Sequence, residues 1–92
     1  MKIRWTKPAL RHVDEIFAYI AADNHQVAFS VVQHIDNTVS YLAQFPEMGK
    51  PTDKTGVRML VIGRYPYLVF YRLKKHEIEI LYVTHGAREQ EE

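Results

Sequence analysis

Apolar and polar residues alternate from the start of the chain. Ile3 and Trp5 fall on one side of an extended segment and Lys2 and Arg4 on the other, the two-residue period of a strand over Lys2 to Thr6. Thr6 suits the N-cap of a following helix, and Pro8 is tolerated in its first turn. Ala9, Val13, Ile16, Phe17 and Ile20 then recur at three- and four-residue spacing, which predicts an amphipathic helix to about Ala22. Asp23-Asn24-His25 interrupts it, with Asn24 as the next cap. Val27, Ala28, Val31, Val32, Ile35, Val39 and Leu42 form the stripe of a second helix. Its β-branched residues lower intrinsic propensity, so packing must stabilise it. From Phe45 to Pro51, two prolines and a glycine predict a loop. Three strands follow, turned at Gly63–Pro66 and at Lys74-Lys75-His76-Glu77, with lengths that fit antiparallel hairpins.

The order strand, helix, helix, three strands predicts an α+β domain, one domain over residues 1–92. In it a helical hairpin covers one face of a single twisted antiparallel sheet. Yet the strands are apolar on both sides: Met59 and Val61 oppose Leu60 and Ile62, Val69 and Tyr71 oppose Leu68 and Phe70, and Ile80 and Tyr82 oppose Leu81 and Val83. A sheet with one wet face should alternate apolar and polar. Two helices cover only one face, so the pattern calls for a partner over the other, with Leu60, Ile62, Leu68, Phe70, Leu81 and Val83 as contact candidates. The competing reading is a strongly twisted sheet closed by its own loops.

Composition narrows the class. Ninety-two residues with 47% hydrophobic content make one modest core rather than a disordered chain. The absence of cysteine rules out disulfides and thiolate metal sites and fits a cytoplasmic protein. The N-terminus has no signal-peptide pattern, and no apolar run is long enough to span a membrane. The net charge of +1 argues against a general polyanion binder. Its distribution is uneven, however. Lys50, Lys54, Arg58, Arg64, Arg72, Lys74, Lys75 and Arg88 face only Asp53, Glu77 and Glu79 between residues 50 and 88. That basic half points to an acidic partner surface or a phosphate backbone, or to an edge guarded by solvated lysines.

Arg58, Arg64, His85 and Arg88 are the candidates for chemistry. Arginines fork onto phosphate oxygens and histidine exchanges protons near neutral pH, so together they could assist RNA cleavage by the 2′-hydroxyl. The bland alternative is strand-end arginines that are solvated or ion-paired. The remaining histidines form no ligand pair, so neither a metal nor another cofactor is expected. The glycines make no phosphate loop, and Ser30 and Ser40 lie within the second helix, a poor place for a nucleophile.

These residues carry a resemblance. Gly56-Val57-Arg58, Tyr65-Pro66-Tyr67, Phe70-Tyr71-Arg72, Ile78-Glu79-Ile80-Leu81 and Val83-Thr84-His85-Gly86-Ala87-Arg88 resemble the signature of the RelE/ParE toxin superfamily. Trp5-Thr6, Tyr19-Ile20 and Phe45-Pro46-Glu47-Met48-Gly49 extend the likeness from Ile3 to Arg88, closest to the ParE-like branch. The resemblance implies a bacterial type II toxin of the plasmid-stabilisation kind, held inactive by a small antitoxin that wraps it. It implies one of two activities. ParE-like members poison DNA gyrase and block replication; RelE-like members cut mRNA on the ribosome. The chain ends Glu89-Gln90-Glu91-Glu92, without the basic or tyrosine-bearing segment of the nucleases. That ending and the modest charge favour gyrase and a binding toxin without chemistry of its own. Under the ribonuclease alternative, Arg58, Arg64 and Arg88 would hold phosphate and His85 would be the acid/base; otherwise they are target-contact candidates.

Overall fold

A computed structural model describes residues 1–86. The elements are β1 (Lys2–Trp5), α1 (Lys7–Ala21), α2 (His25–Ser40), a 3-10 turn at Tyr41–Ala43, β2 (Lys50–Pro51), β3 (Val57–Val61), β4 (Tyr67–Leu73) and β5 (Glu77–His85). They form one sheet in the order β1-β5-β4-β3-β2. The last four strands are antiparallel, and β1 joins β5 in parallel, Ile3 opposite Ile78 and Trp5 opposite Ile80. The α+β architecture expected from the sequence is the one observed. No helix among the described residues is long and apolar enough to cross a membrane.

Both helices begin where side-chain chemistry places them. Thr6 Oγ1 accepts from the Ala9 N–H at 3.3 Å, and Asn24 Oδ1 accepts from the Val27 N–H at 3.1 Å. Thr6 also ends β1. Its backbone N–H donates to the Ile80 carbonyl at 3.2 Å, and its hydroxyl donates to the same oxygen at 2.7 Å. Past that point β5 has no strand neighbour on this side among the described residues, and His12 Nδ1 accepts the Val83 N–H at 3.2 Å. Side chains of the first helix thus finish an edge that β1 is too short to cover.

The loop predicted over Phe45–Pro51 contains a strand at its end. Lys50 pairs with Met59 and Pro51 with Arg58. Two residues show no period, so no pattern could announce them, and proline is tolerated on such an edge. What brings the chain there is Tyr71, whose hydroxyl accepts the Gly49 N–H at 3.0 Å and donates to the Pro46 carbonyl at 2.7 Å.

The face under the helices holds the core. Leu60, Ile62, Val69, Tyr71, Ile78, Ile80 and Val83 pack against Ala9 of α1 and Val31, Ile35 and Val39 of α2. This corrects part of the expected partner surface: Leu60, Ile62 and Val83 point at the helices. Two features of the ladder explain it. Leu60 lies opposite Val69, so it shares a face with Val69 and not with Leu68. In β5, Tyr71 pairs with Ile80 and Phe70 with Tyr82, so Leu81 is a bulge residue. The bulge shifts the alternation by one and sends Val83, not Tyr82, into the core.

The opposite face is divided. Met59, Phe70 and Tyr82 are cross-strand neighbours, with the Phe70 and Tyr82 rings stacked at 4.6 Å, and Val61 and Leu68 continue the apolar half. At the β1 side the face is ionic. Arg4 bridges Glu77, at 3.2 Å, and Glu79, and Lys74 stands 3.6 Å from Glu79. Desolvation opposes charge on Glu79, but the Arg4 hydrogen bond and the Lys74, Arg4 and Arg72 charges hold its carboxyl below the ordinary value.

Candidate functional site

Arg64 and His85 lie toward the same end of the sheet. Arg64 lies in the β3–β4 connection, where Gly63 and Arg64 both have positive φ, 71° and 67°. They open a four-residue connection, Gly63 to Pro66, closed by the Ile62 N–H donating to the Tyr67 carbonyl at 3.1 Å. Glycine adopts that conformation without strain, whereas a Cβ costs about 1–2 kcal/mol. Arg64 is exposed and its guanidinium carbon sits 5.7 Å from the centre of the Tyr65 ring. Arg64→Gly is expected to raise stability by about 0.5–1 kcal/mol after the entropic cost of glycine. A higher urea midpoint would show it; a lower one would mean that the contact with Tyr65 outweighs the backbone strain.

His85 closes β5 opposite Tyr67, their rings edge to face at 5.6 Å. His34 reaches the same end from α2, with Nε2 at 3.3 Å from the Ile62 carbonyl oxygen and its ring 5.5 Å from Tyr65. Burial first, and then the nearby Tyr19, push the Tyr67 phenol above its ordinary value.

Arg58 does not join them. It pairs across the ladder with Tyr71, four residues along β4 from Tyr67, or about 13 Å at the rise of a strand. Its Nε is enclosed and has no hydrogen-bond partner among the described residues. Tyr71 beside it is fully buried. Burial raises the Tyr71 phenol above its ordinary value; the Gly49 N–H and the Arg58 charge pull it down, and Glu47 pushes it up. The arrangement therefore separates an arginine beside a buried tyrosine from an aromatic corner carrying Arg64 and His85. Arg88 lies outside the described residues. No group of three metal-ligating side chains occurs among the described residues.

Apolar surface remains in two places. On the sheet, Leu68 and Phe70 of the expected contact set lie on the face away from the helices with Met59 and Tyr82, and Val61 is 54% exposed. Phe70 is itself nearly covered by this packing. The larger exposure is on the helices. Leu10 and Phe29 are 50% and 63% exposed and wall a groove of about 370 Å³ between α1 and α2, with Val13 and Val32 beside them and Asp14 and Asp36 among its lining residues. Phe29 also meets Phe17 edge to face at 5.0 Å. The sequence reading missed this groove although a signal was present. Phe29 is a large apolar residue beyond the edge of the second helical stripe, and Leu10 widens the first stripe at three and seven residues before Val13 and Phe17.

Comparison with known proteins adds the following. Residues 3–90 match the family model described as the ParE toxin of the type II toxin–antitoxin system parDE. The chain is 41% identical over 88 residues to a Sinorhizobium fredii protein named "Putative toxin Y4kP", covering 96% of this chain and 91% of that one. Among solved structures it is similar to a chain of the chromosomal ParDE system from P. aeruginosa, with a TM-score of 0.83 and 32% identity over 92% of this chain and 95% of that one. It also resembles a chain of the RelBE2 toxin–antitoxin complex from Mycobacterium tuberculosis, with a TM-score of 0.62 over 91% and 95% of the two chains. At 22% identity that likeness concerns the fold alone.

Proposed function

Because the chain belongs to the ParE toxin family of type II toxin–antitoxin systems, we propose that it arrests growth by binding DNA gyrase in the cytoplasm, and that a cognate antitoxin neutralises it. On this reading residues 1–92 act as one domain, and the toxin works by docking, without chemistry of its own. One observation supports a protein partner above the rest: two large apolar side chains, Leu10 and Phe29, stand exposed in a groove on a protein of this size. An amphipathic segment of the antitoxin would fill that groove, and Leu68, Phe70 and Leu81 would be secondary contacts for a chain that wraps round to the sheet. The dispersal of Arg58 and Arg64 over different parts of the sheet favours target contacts over one catalytic cluster.

Purified toxin is expected to inhibit gyrase supercoiling in a defined assay while a translation reaction proceeds at its normal rate. Adding the protein encoded beside it should restore supercoiling. Early arrest of translation, with new mRNA 5′ ends inside codons and supercoiling intact, would replace this reading with the ribosome-dependent ribonuclease.

A further inference from the structure

The two sides of the protein carry opposite charge. On the helical side, Asp14 and Asp36 stand at the Leu10–Phe29 groove. On the open side of the sheet, the ladder sets side chains in rows across the strands. Lys50, Met59, Phe70 and Tyr82 form one row. Val57, Arg72, Glu79 and Arg4 form the next, and Lys2 lies opposite Glu77 beyond it. With Lys74, which reaches Glu79, five cations share this face with two carboxylates among the described residues. Both carboxylates are engaged, Glu77 by Arg4 and Glu79 by Arg4 and Lys74. Arg72 acts on Glu79 through its charge alone. Lys50 and Arg72 are exposed, and neither forms an ion pair among the described residues. Two strands and one row separate them, about 12 Å at ordinary strand spacing and rise. Apolar surface borders them. Met59 lies next to Lys50 in its row, and the exposed Val61 opposes Leu68 one row further on.

We infer that the open sheet face is the surface that meets the target, and that it takes an acidic segment of the target protein, with carboxylates at Lys50 and Arg72 and apolar side chains over Met59, Val61 and Leu68. Charge complementarity selects this occupant. A basic segment would meet like charge at Lys50 and Arg72, and a second copy of the chain would bring the same cations. A nucleic-acid strand would satisfy the cations but would also run against Glu77 and Glu79. Its bases would find little to stack on, since Phe70 is nearly covered and packs its ring on Tyr82. The two free cations steer the segment and set its register, and the apolar surface between and beside them holds it. The target's identity rests on the gyrase reading above; the chemistry of its segment follows from the face. An antitoxin held in the helical groove and reaching Leu68 would cover the same surface, so anchoring on the helices would silence a contact made by the sheet.

The test pairs target inhibition with binding of a defined probe to the full chain. Lys50→Glu combined with Arg72→Gln should raise the dose that half-inhibits supercoiling by about tenfold or more, and Val61→Glu should do the same, each with the amide spectrum of the fold preserved. Lys7→Glu, an equal charge change at an exposed position on α1, should shift the dose by less than about twofold. In the ¹³C-methyl-labelled chain, a peptide carrying two glutamates four residues apart with a leucine midway should shift the Val61 methyls saturably. The same peptide with lysines in place of glutamates should not. Wild-type inhibition by all the face variants, or an equal loss in Lys7→Glu, would remove the face from the target contact and leave the gyrase reading intact. Equal methyl shifts from a single-stranded oligonucleotide would overturn the acidic segment in favour of a nucleic-acid strand. Shifts that require removal of residues 89–92 would overturn it in favour of the chain's own acidic end. If the wild type fails to inhibit supercoiling while the glutamate peptide still shifts Val61, the gyrase reading fails and the acidic docking site stands.

Discussion

Gly49→Ala is expected to destabilise the protein by about 2–3 kcal/mol, a large share of what a domain of this size has to lose. The cause is steric and not conformational, since Gly49 is not among the residues with positive φ. A Cβ built on Gly49 would stand 2.7 Å from Tyr71 Cε1, 2.8 Å from its hydroxyl oxygen and 2.9 Å from the Met59 carbonyl oxygen. None of these can move cheaply. The Tyr71 ring is fully buried in the core, its hydroxyl is tied to Pro46 and Gly49, and Met59 is in the ladder to β4. Relief would push the loop outward and break both bonds by which Tyr71 holds it ahead of β2.

Tyr71→Phe isolates the hydrogen-bonding part. It leaves the Pro46 carbonyl and the Gly49 N–H without their partner and should cost about 1–3 kcal/mol. The double variant should cost less than the two singles together, because the loop that Gly49→Ala displaces has already lost its bonds. The phenol also adds a pH signature. Burial raises its folded value above the ordinary 10.0. Its contribution is therefore whole below that value and lost as pH climbs from there through the folded one, a loss that Tyr71→Phe should abolish. Urea unfolding of the four proteins at neutral and alkaline pH decides the matter. A Gly49→Ala midpoint equal to wild type would mean that the loop is not locked as described.

The same tyrosine shows what could be read in advance. Tyr71 was legible as an inward strand residue, because period-two alternation is a local property of Val69 and Tyr71. Its partners were not, since Pro46 and Gly49 lie more than twenty residues away and no periodicity links them. The helix caps Thr6 and Asn24 were legible for the same local reason. The phase of β5 was not, because a bulge at Leu81 depends on what β4 offers opposite it. That single residue moved Val83 from the expected contact surface into the core. Leu60 and Ile62 moved there through the β3–β4 register, which alternation within one strand cannot specify. Among the candidate arginines, the ends of the strands could be placed, but whether they converge depends on register, and Arg58 and Arg64 turn out apart. The parallel seat of β1 beside β5 was likewise beyond reach, since it depends on how the helical hairpin crosses the sheet.

Leu10→Glu combined with Phe29→Glu should release the toxin from its antitoxin while leaving it folded. Both side chains are at least half exposed, so the fold should lose little at Leu10 and somewhat more at Phe29. There the edge-to-face contact with Phe17 is worth about 0.5–1.5 kcal/mol. For binding, the change is severe. Apolar anchors at the centre of an interface contribute about 2 kcal/mol or more each. Two introduced carboxylates beside Asp14 and Asp36 would also have to be buried next to like charge on docking. Together the losses should weaken antitoxin binding by about a thousandfold or more. Asp14→Lys with Asp36→Lys supplies the complementary measurement. If the bound segment is basic along its flanks, reversing these charges should slow association and alter its salt dependence with little effect on dissociation. The decisive readout is paired, with affinity by calorimetry and growth on co-induction. Cells carrying the double glutamate variant should arrest even with antitoxin present, and the purified variant should still inhibit supercoiling at the wild-type dose. Full rescue by antitoxin, with unchanged affinity, would remove the groove from the interface and leave the sheet face of Leu68 and Phe70 as the surface the antitoxin covers.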